Sequence, residues 1–108
     1  MNKCMIIVNT DKIEGREIDS SLGLVRGSTT RARFAVMDFF AGIKSIIGGE
    51  VSEYTQLLAD SREQAIERMV ADAHKLGADA IVEVRFTSST IKQGIAEILA
   101  YGTAVKLK

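Results

Sequence analysis

An α+β fold is predicted: a small, mostly antiparallel sheet carrying one long main helix and one short helix. Three observations predict it. Residues 80–87 and Ile95–Leu107 alternate in character at every second position, the period of a strand. Residues 52–76 carry an apolar stripe at helical spacing that stops at Gly77. The elements come in the order strands, helices, strands, which places helix on one face of the sheet.

Taken in order, residues 5–8 (Met-Ile-Ile-Val) read as a short apolar strand and residues 11–15 as a turn. Residues 18–33 are β-prone but interrupted by Gly23 and Gly27. Glycine inside a strand marks a bulge, a bend or a close backbone approach, so this stretch is one long bent strand or two joined at a glycine. Val36, Phe39, Phe40, Ile43, Ile46 and Ile47 recur at i, i+3, i+4, i+7 spacing and predict a short amphipathic helix, ended by Gly48-Gly49.

The main helix follows over 52–76. Its stripe is Tyr54, Leu58, Ala65, Met69, Ala73 and Leu76, widened by Leu57, Ile66 and Val70, and Arg62, Glu63, Glu67, Arg68, Asp72 and Lys75 fill the opposite side. Asp60-Ser-Arg-Glu63 has the spacing of a capping box that would start a second helix. The stripe stays in phase through Ser61 and the chain contains no proline, which favours one helix, straight or kinked. Beyond Gly77, Ala80, Val82, Val84 and Phe86 are assigned to one side of a strand, and Ile81, Glu83, Arg85 and Thr87 to the other. Residues 88–94 are read as a loop.

The last strand is the most informative element. One of its faces carries Ala96, Ile98, Ala100, Gly102 and Ala104; the other carries Ile95, Glu97, Leu99, Tyr101, Thr103, Val105 and Leu107. A solvated sheet surface would show polar residues at every second position, and neither face does. The small face suits close approach by a helix. The other needs a cover that a chain of 108 residues has little left to supply, so a second copy is expected to provide it.

Composition bounds the function. At this length, with no visible linker, residues 1–108 read as a single domain. Lys plus Arg equals Asp plus Glu at 14 each, which argues against a nucleic-acid or anionic-membrane partner. The apolar run after Lys3 is shorter than the roughly 7–15 residues of a signal-peptide core, and no stretch reaches the roughly 18 of a membrane span. A lone cysteine, Cys4, suits a reducing cytoplasm and is expected to be a small buried side chain.

No constellation specifies a reaction. Cys4 and His74 are the only soft or borderline metal donors, too few for a zinc or copper site within one chain. Any bound cation would be a weakly held divalent ion ligated by oxygens, from Asp38, Glu50, Glu53 or Glu97 meeting across a subunit boundary. His74 falls in the last helical turn, where a cationic imidazole favours the dipole. Gly27-Ser-Thr-Thr-Arg31, flanked by Arg26 and Arg33, precedes the short helix and offers Thr29 and guanidinium groups for an anion, although the spacing is not that of a Walker A loop. Asp38, Glu50 and Glu97 are acids or bases without a paired partner in sequence, which leaves an enzyme only as an alternative whose composite active site is shared between chains. Glu97, Tyr101 and Thr103 share a strand face and would line a pocket or bond across a boundary. The ligand or interface candidates are therefore Arg26, Thr29, Arg31, Asp38, Glu50, Tyr54, Glu97, Tyr101 and Thr103.

Several strings together resemble a known family: Leu22-Gly-Leu-Val-Arg-Gly27, Gly48-Gly-Glu50 with Tyr54, Ala65 with Arg68-Met69, Leu76-Gly-Ala-Asp-Ala-Ile-Val82, and Glu97 with Ala100-Tyr-Gly-Thr-Ala-Val105. In order and over nearly the whole chain they are similar to the YbjQ-like family of small prokaryotic proteins, which carries a heavy-metal-binding label and no assigned reaction. The resemblance implies an α+β subunit in a ring-shaped homopentamer. The soft ligands such a label calls for are not among these residues.

Overall fold

The computed structural model describes residues 4–31, 50–92 and 95–108. The expected helix over 36–47, Asp38 and Gly48-Gly49 lie outside the described residues. The elements are β1 (Ile6–Ile7), β2 (Ile18–Arg31), α1 (Glu50–Lys75), β3 (Ala80–Lys92) and β4 (Ile95–Leu107). They form a four-stranded sheet in the order β1-β3-β4-β2, with α1 on one face. β3–β4 and β4–β2 are antiparallel, and only the short β1 runs parallel to its neighbour β3. The fold class is the α+β arrangement expected.

α1 is one continuous helix, so the residues resembling a capping box at Asp60 do not start a second one. Ser61 explains why: it is fully buried, and its hydroxyl donates to the Leu57 carbonyl at 2.8 Å, a satisfied group inside the helix. The C-terminus closes as a Schellman motif. Gly77 at φ 74° lets its N–H donate to the His74 carbonyl (3.0 Å) and that of Ala78 to the Ala73 carbonyl (3.2 Å). Asp79 then ties the turn to the sheet, its N–H donating to Val105 O (2.9 Å) while its carboxylate accepts from the Leu107 N–H (2.9 Å). Leu76, expected in the stripe, is 46% exposed because the helix has already ended.

The helix–sheet core contains Ala65, Met69 and Ala73 from α1, Val25 from β2, Ile81 and Val84 from β3, and Ile98, Ala100 and Ala104 from β4. The small face of β4 does receive the helix. Contact is closest at Gly27, where a Cβ would collide with the main chain of Ala65 and Met69 and stand 2.7 Å from Arg68 Cβ. β2 is one strand with irregular register between Ser21 and Gly23, the latter at φ 116°.

β3 departs from its expected pattern. A bulge between Val82 and Arg85 places Glu83 at φ 54°, so Ile81, Val84 and Phe86 share the helix side, with Ala80, Val82, Arg85 and Thr87 on the other. One extra residue inverts the alternation. The segment after β1 holds the bulge: Glu83 N–H donates to Thr10 O (2.9 Å) and Val84 N–H to Val8 O (3.1 Å). Residues 88–92, read as loop, continue β3 paired to β4, because the ladder satisfies the backbone even where polar side chains face water.

Candidate functional site

The sheet face away from α1 has two ends. Ala80, Val82, Val105 and Leu107 are buried there by Ile6, Val8, Ile13 and Ile18, so the chain covers this end itself. The rest was expected to need a cover, and none of the described residues supplies one. Across β2, β4 and β3 its rows read Leu24–Thr103–Val82, Arg26–Tyr101–Arg85, Ser28–Leu99–Thr87 and Thr30–Glu97–Ser89. Leu24 is 64% exposed, and Glu97, Leu99, Tyr101 and Thr103 on the central strand are half-buried.

Four of the sequence candidates therefore come together: Arg26, Glu97, Tyr101 and Thr103. Arg26 and Tyr101 are cross-strand neighbours, whereas Glu97 lies four residues along β4 from Tyr101, roughly 13 Å away. That separation is too long for one acid–base pair within the subunit. Among the described residues, the Arg26 guanidinium, Glu97 carboxylate, Tyr101 phenol and Thr103 hydroxyl make no hydrogen bond or ion pair. They lie on the face away from α1.

The other candidates do not join them. Thr29 points to the helix side, 2% exposed, and its hydroxyl donates to Ser61 O at 3.2 Å. Its role is internal satisfaction of a buried polar pair. Arg31, Glu50 and Tyr54 stand at the ends of β2 and α1 with side chains outside the described residues, as Asp38 is altogether. Gly27-Ser-Thr-Thr-Arg31 is strand rather than an anion-holding loop, and the outward N–H of Arg26 donates to Asp72 Oδ2 at 3.2 Å, a carboxylate of the protein itself. Cys4 is exposed, not buried, because it precedes the point where β1 enters the sheet.

Sequence reasoning missed Arg68 and Asp72, filed simply as charged helix surface. Arg68 Nη1 donates to Ser28 O at 2.6 Å, so with Asp72 it seals the outer edge of β2. The available signal was their four-residue spacing on α1, with Gly27 on the strand below.

A heavy-metal site requires three or four converging donors. Among the described residues, no three of His, Cys, Asp and Glu stand close enough to hold an ion. Nor does any helix among them have the length and apolarity to cross a membrane.

The YbjQ family profile, described as "Putative heavy-metal-binding", matches residues 5–108. A UPF0145 protein of Methanosarcina acetivorans is 54% identical over 103 residues, covering 95% of this chain and 97% of that one. Another, from Archaeoglobus fulgidus, is 51% identical over 108 residues and the full length of both chains. A crystal structure of a protein of unknown function in the DUF74 family, from Pediococcus pentosaceus, superposes with a TM-score of 0.65, covering 96% of this chain and 98% of that one. At 14% identity, that likeness is one of fold.

Proposed function

This chain belongs to the YbjQ family, and from that premise we propose that it acts as a cytoplasmic homo-oligomer whose subunit boundary is the open part of the sheet face. The observation that carries this reading is Leu24 at 64% exposure, diagonal to half-buried Tyr101 and with half-buried Leu99 two rows further along, on a face that the described residues cover only at its other end. An apolar area rimmed by polar groups is the signature of a contact site. The polar groups of Arg26, Glu97, Tyr101 and Thr103, which no described residue bonds, would be satisfied across the boundary, or would hold a small ligand there. A ring of five, the count the family resemblance implies, requires a head-to-tail contact that closes.

Native mass spectrometry of untagged protein, purified without chelator, reports the subunit count and any retained ligand together. A stable monomer at micromolar concentration overturns the reading. A composite active site is the second reading, favoured by Glu97 and Tyr101 sharing this face without a partner among the described residues. It requires a retained substrate-like ligand that Glu97→Gln fails to keep while assembly persists.

A further inference from the structure

β3 contributes to the core beneath α1 only as far as Val84. Beyond that point its helix side emerges: Phe86, Ser88 and Thr90 are exposed, paired across the ladder with Ala100, Ile98 and Ala96 of β4. Leu58 and Arg62, one turn apart on α1, stand beside them. Together these residues border a groove of about 340 Å³. Small-molecule sites run from roughly 300 to 1,000 Å³. The groove lies across the sheet from the proposed subunit boundary, and what it binds is a question beyond that reading.

Its lining is apolar with one charge. Leu58, Ile98 and the Phe86 ring supply the apolar part, and the hydroxyls of Ser88 and Thr90 lie along it. Arg62 is the only charged residue among the described residues that line it. The helical neighbours of Arg62 at three and four residues are Leu58, Ala59, Ala65 and Ile66, none of them acidic. β3 carries no acidic residue after Glu83, and Glu97 of β4 sits on the other side of the sheet. No described residue bonds the Arg62 guanidinium or the two hydroxyls. Arg68, two turns of chain further on, differs in being held by the Ser28 carbonyl.

We propose that this groove binds a small organic monocarboxylate, its head on Arg62 and its apolar body against Leu58, Ile98 and Phe86. A guanidinium takes a carboxylate through two parallel hydrogen bonds, and a single guanidinium matches a single negative charge. The apolar lining attracts the body of such a molecule, and the uncompensated cation selects the acid over a neutral compound of the same shape.

Octanoate and its neutral amide, octanamide, share a body and differ in the charge. In saturation-transfer NMR titrations of the untagged protein, the acid should bind at least about tenfold more tightly than the amide, as a charge-assisted hydrogen bond would give. Arg62→Gln, at an exposed helical position, should bring the two to the same weak affinity with the parent circular dichroism retained. Phe86→Ser should weaken acid and amide alike. Equal binding of acid and amide by the parent, a preference for the acid that survives Arg62→Gln, or no binding at millimolar octanoate overturns the proposal. Binding that appears only in dissociated Leu99→Lys protein would assign the groove to a second copy, and binding that appears only in a Phe39→Ser, Phe40→Ser variant would assign it to the chain's own residues; either overturns the proposal. The subunit count is measured separately, so the assembly reading stands or falls independently of these titrations.

Discussion

The helix-covered face and the open face of the sheet alternate residue by residue along β4, yet they are built from different side chains. Beneath α1, Ala100 and Ala104 are fully buried and Gly27 lies against the helix main chain. On the opposite side, Leu99, Tyr101 and Thr103 are larger and half-buried, and the described residues cover this face only at its Val105–Leu107 end. The first face is finished within one subunit: backbone approaches backbone, so an added methyl group has nowhere to go. The second has room for larger side chains and carries polar groups that no described residue bonds. Substitutions on the first should therefore change folding, and those on the second association.

The largest effect expected is from Gly27→Ala. Its Cβ would meet main-chain atoms of Ala65 and Met69, which cannot rotate away as a side chain can. A loss near the upper end of the ~1–3 kcal/mol overpacking range, about 10–20 °C in melting temperature, is expected. A melt matching the parent would place the helix farther from β2. On the open face, Leu99→Lys should dissociate the oligomer in sedimentation while the subunit keeps its circular dichroism. If it assembles normally, that face is not the boundary.

Intermediate effects should come from Gly102→Val and Ala100→Leu, each costing about 1–3 kcal/mol in denaturant titrations. At Gly102 a Cβ would stand 2.8 Å from Ile81 Cγ2, 3.0 Å from Val82 O and 3.1 Å from Val84 Cγ2, so the cost is space, not backbone conformation. Unchanged midpoints would show that this face can yield. Glu63→Lys and Leu76→Ser touch neither face's packing and should stay within about 0.5 kcal/mol of the parent. A larger loss in either would reveal a contact outside the subunit. The smallest effect expected is from metal removal: chelation should leave the melt unmoved, and elemental analysis should find no stoichiometric zinc or copper. Nearly one zinc per subunit, lost in a Cys4→Ala, His74→Ala variant, would restore the family's metal label.

Much of the helix-covered face could be read from local pattern. The α1 stripe through Leu58, Ser61, Ala65, Met69 and Ala73 and the small residues of β4 follow from periods of 3.6 and 2, which one stretch of chain contains in full. The bulge at Glu83 could not be read this way. No glycine marks it, and its positive φ is held by Thr10 and Val8, more than 70 residues earlier in the sequence. Of the site candidates, Glu97, Tyr101 and Thr103 were legible together because one strand carries them. Thr29 was misplaced because its face depends on where α1 lies.

From sequence alone came the α+β class, the single main helix, the Gly77 stop and the uneven faces of β4, all consequences of backbone periodicity and of glycine's conformational freedom. Tertiary structure alone decided the order β1-β3-β4-β2, the inverted faces of β3, the end of the open face that the chain covers itself, and the sealing of the β2 edge by Arg68 and Asp72. Those depend on which distant segments meet. A local pattern can show that a face must be covered, but it does not encode what will cover it.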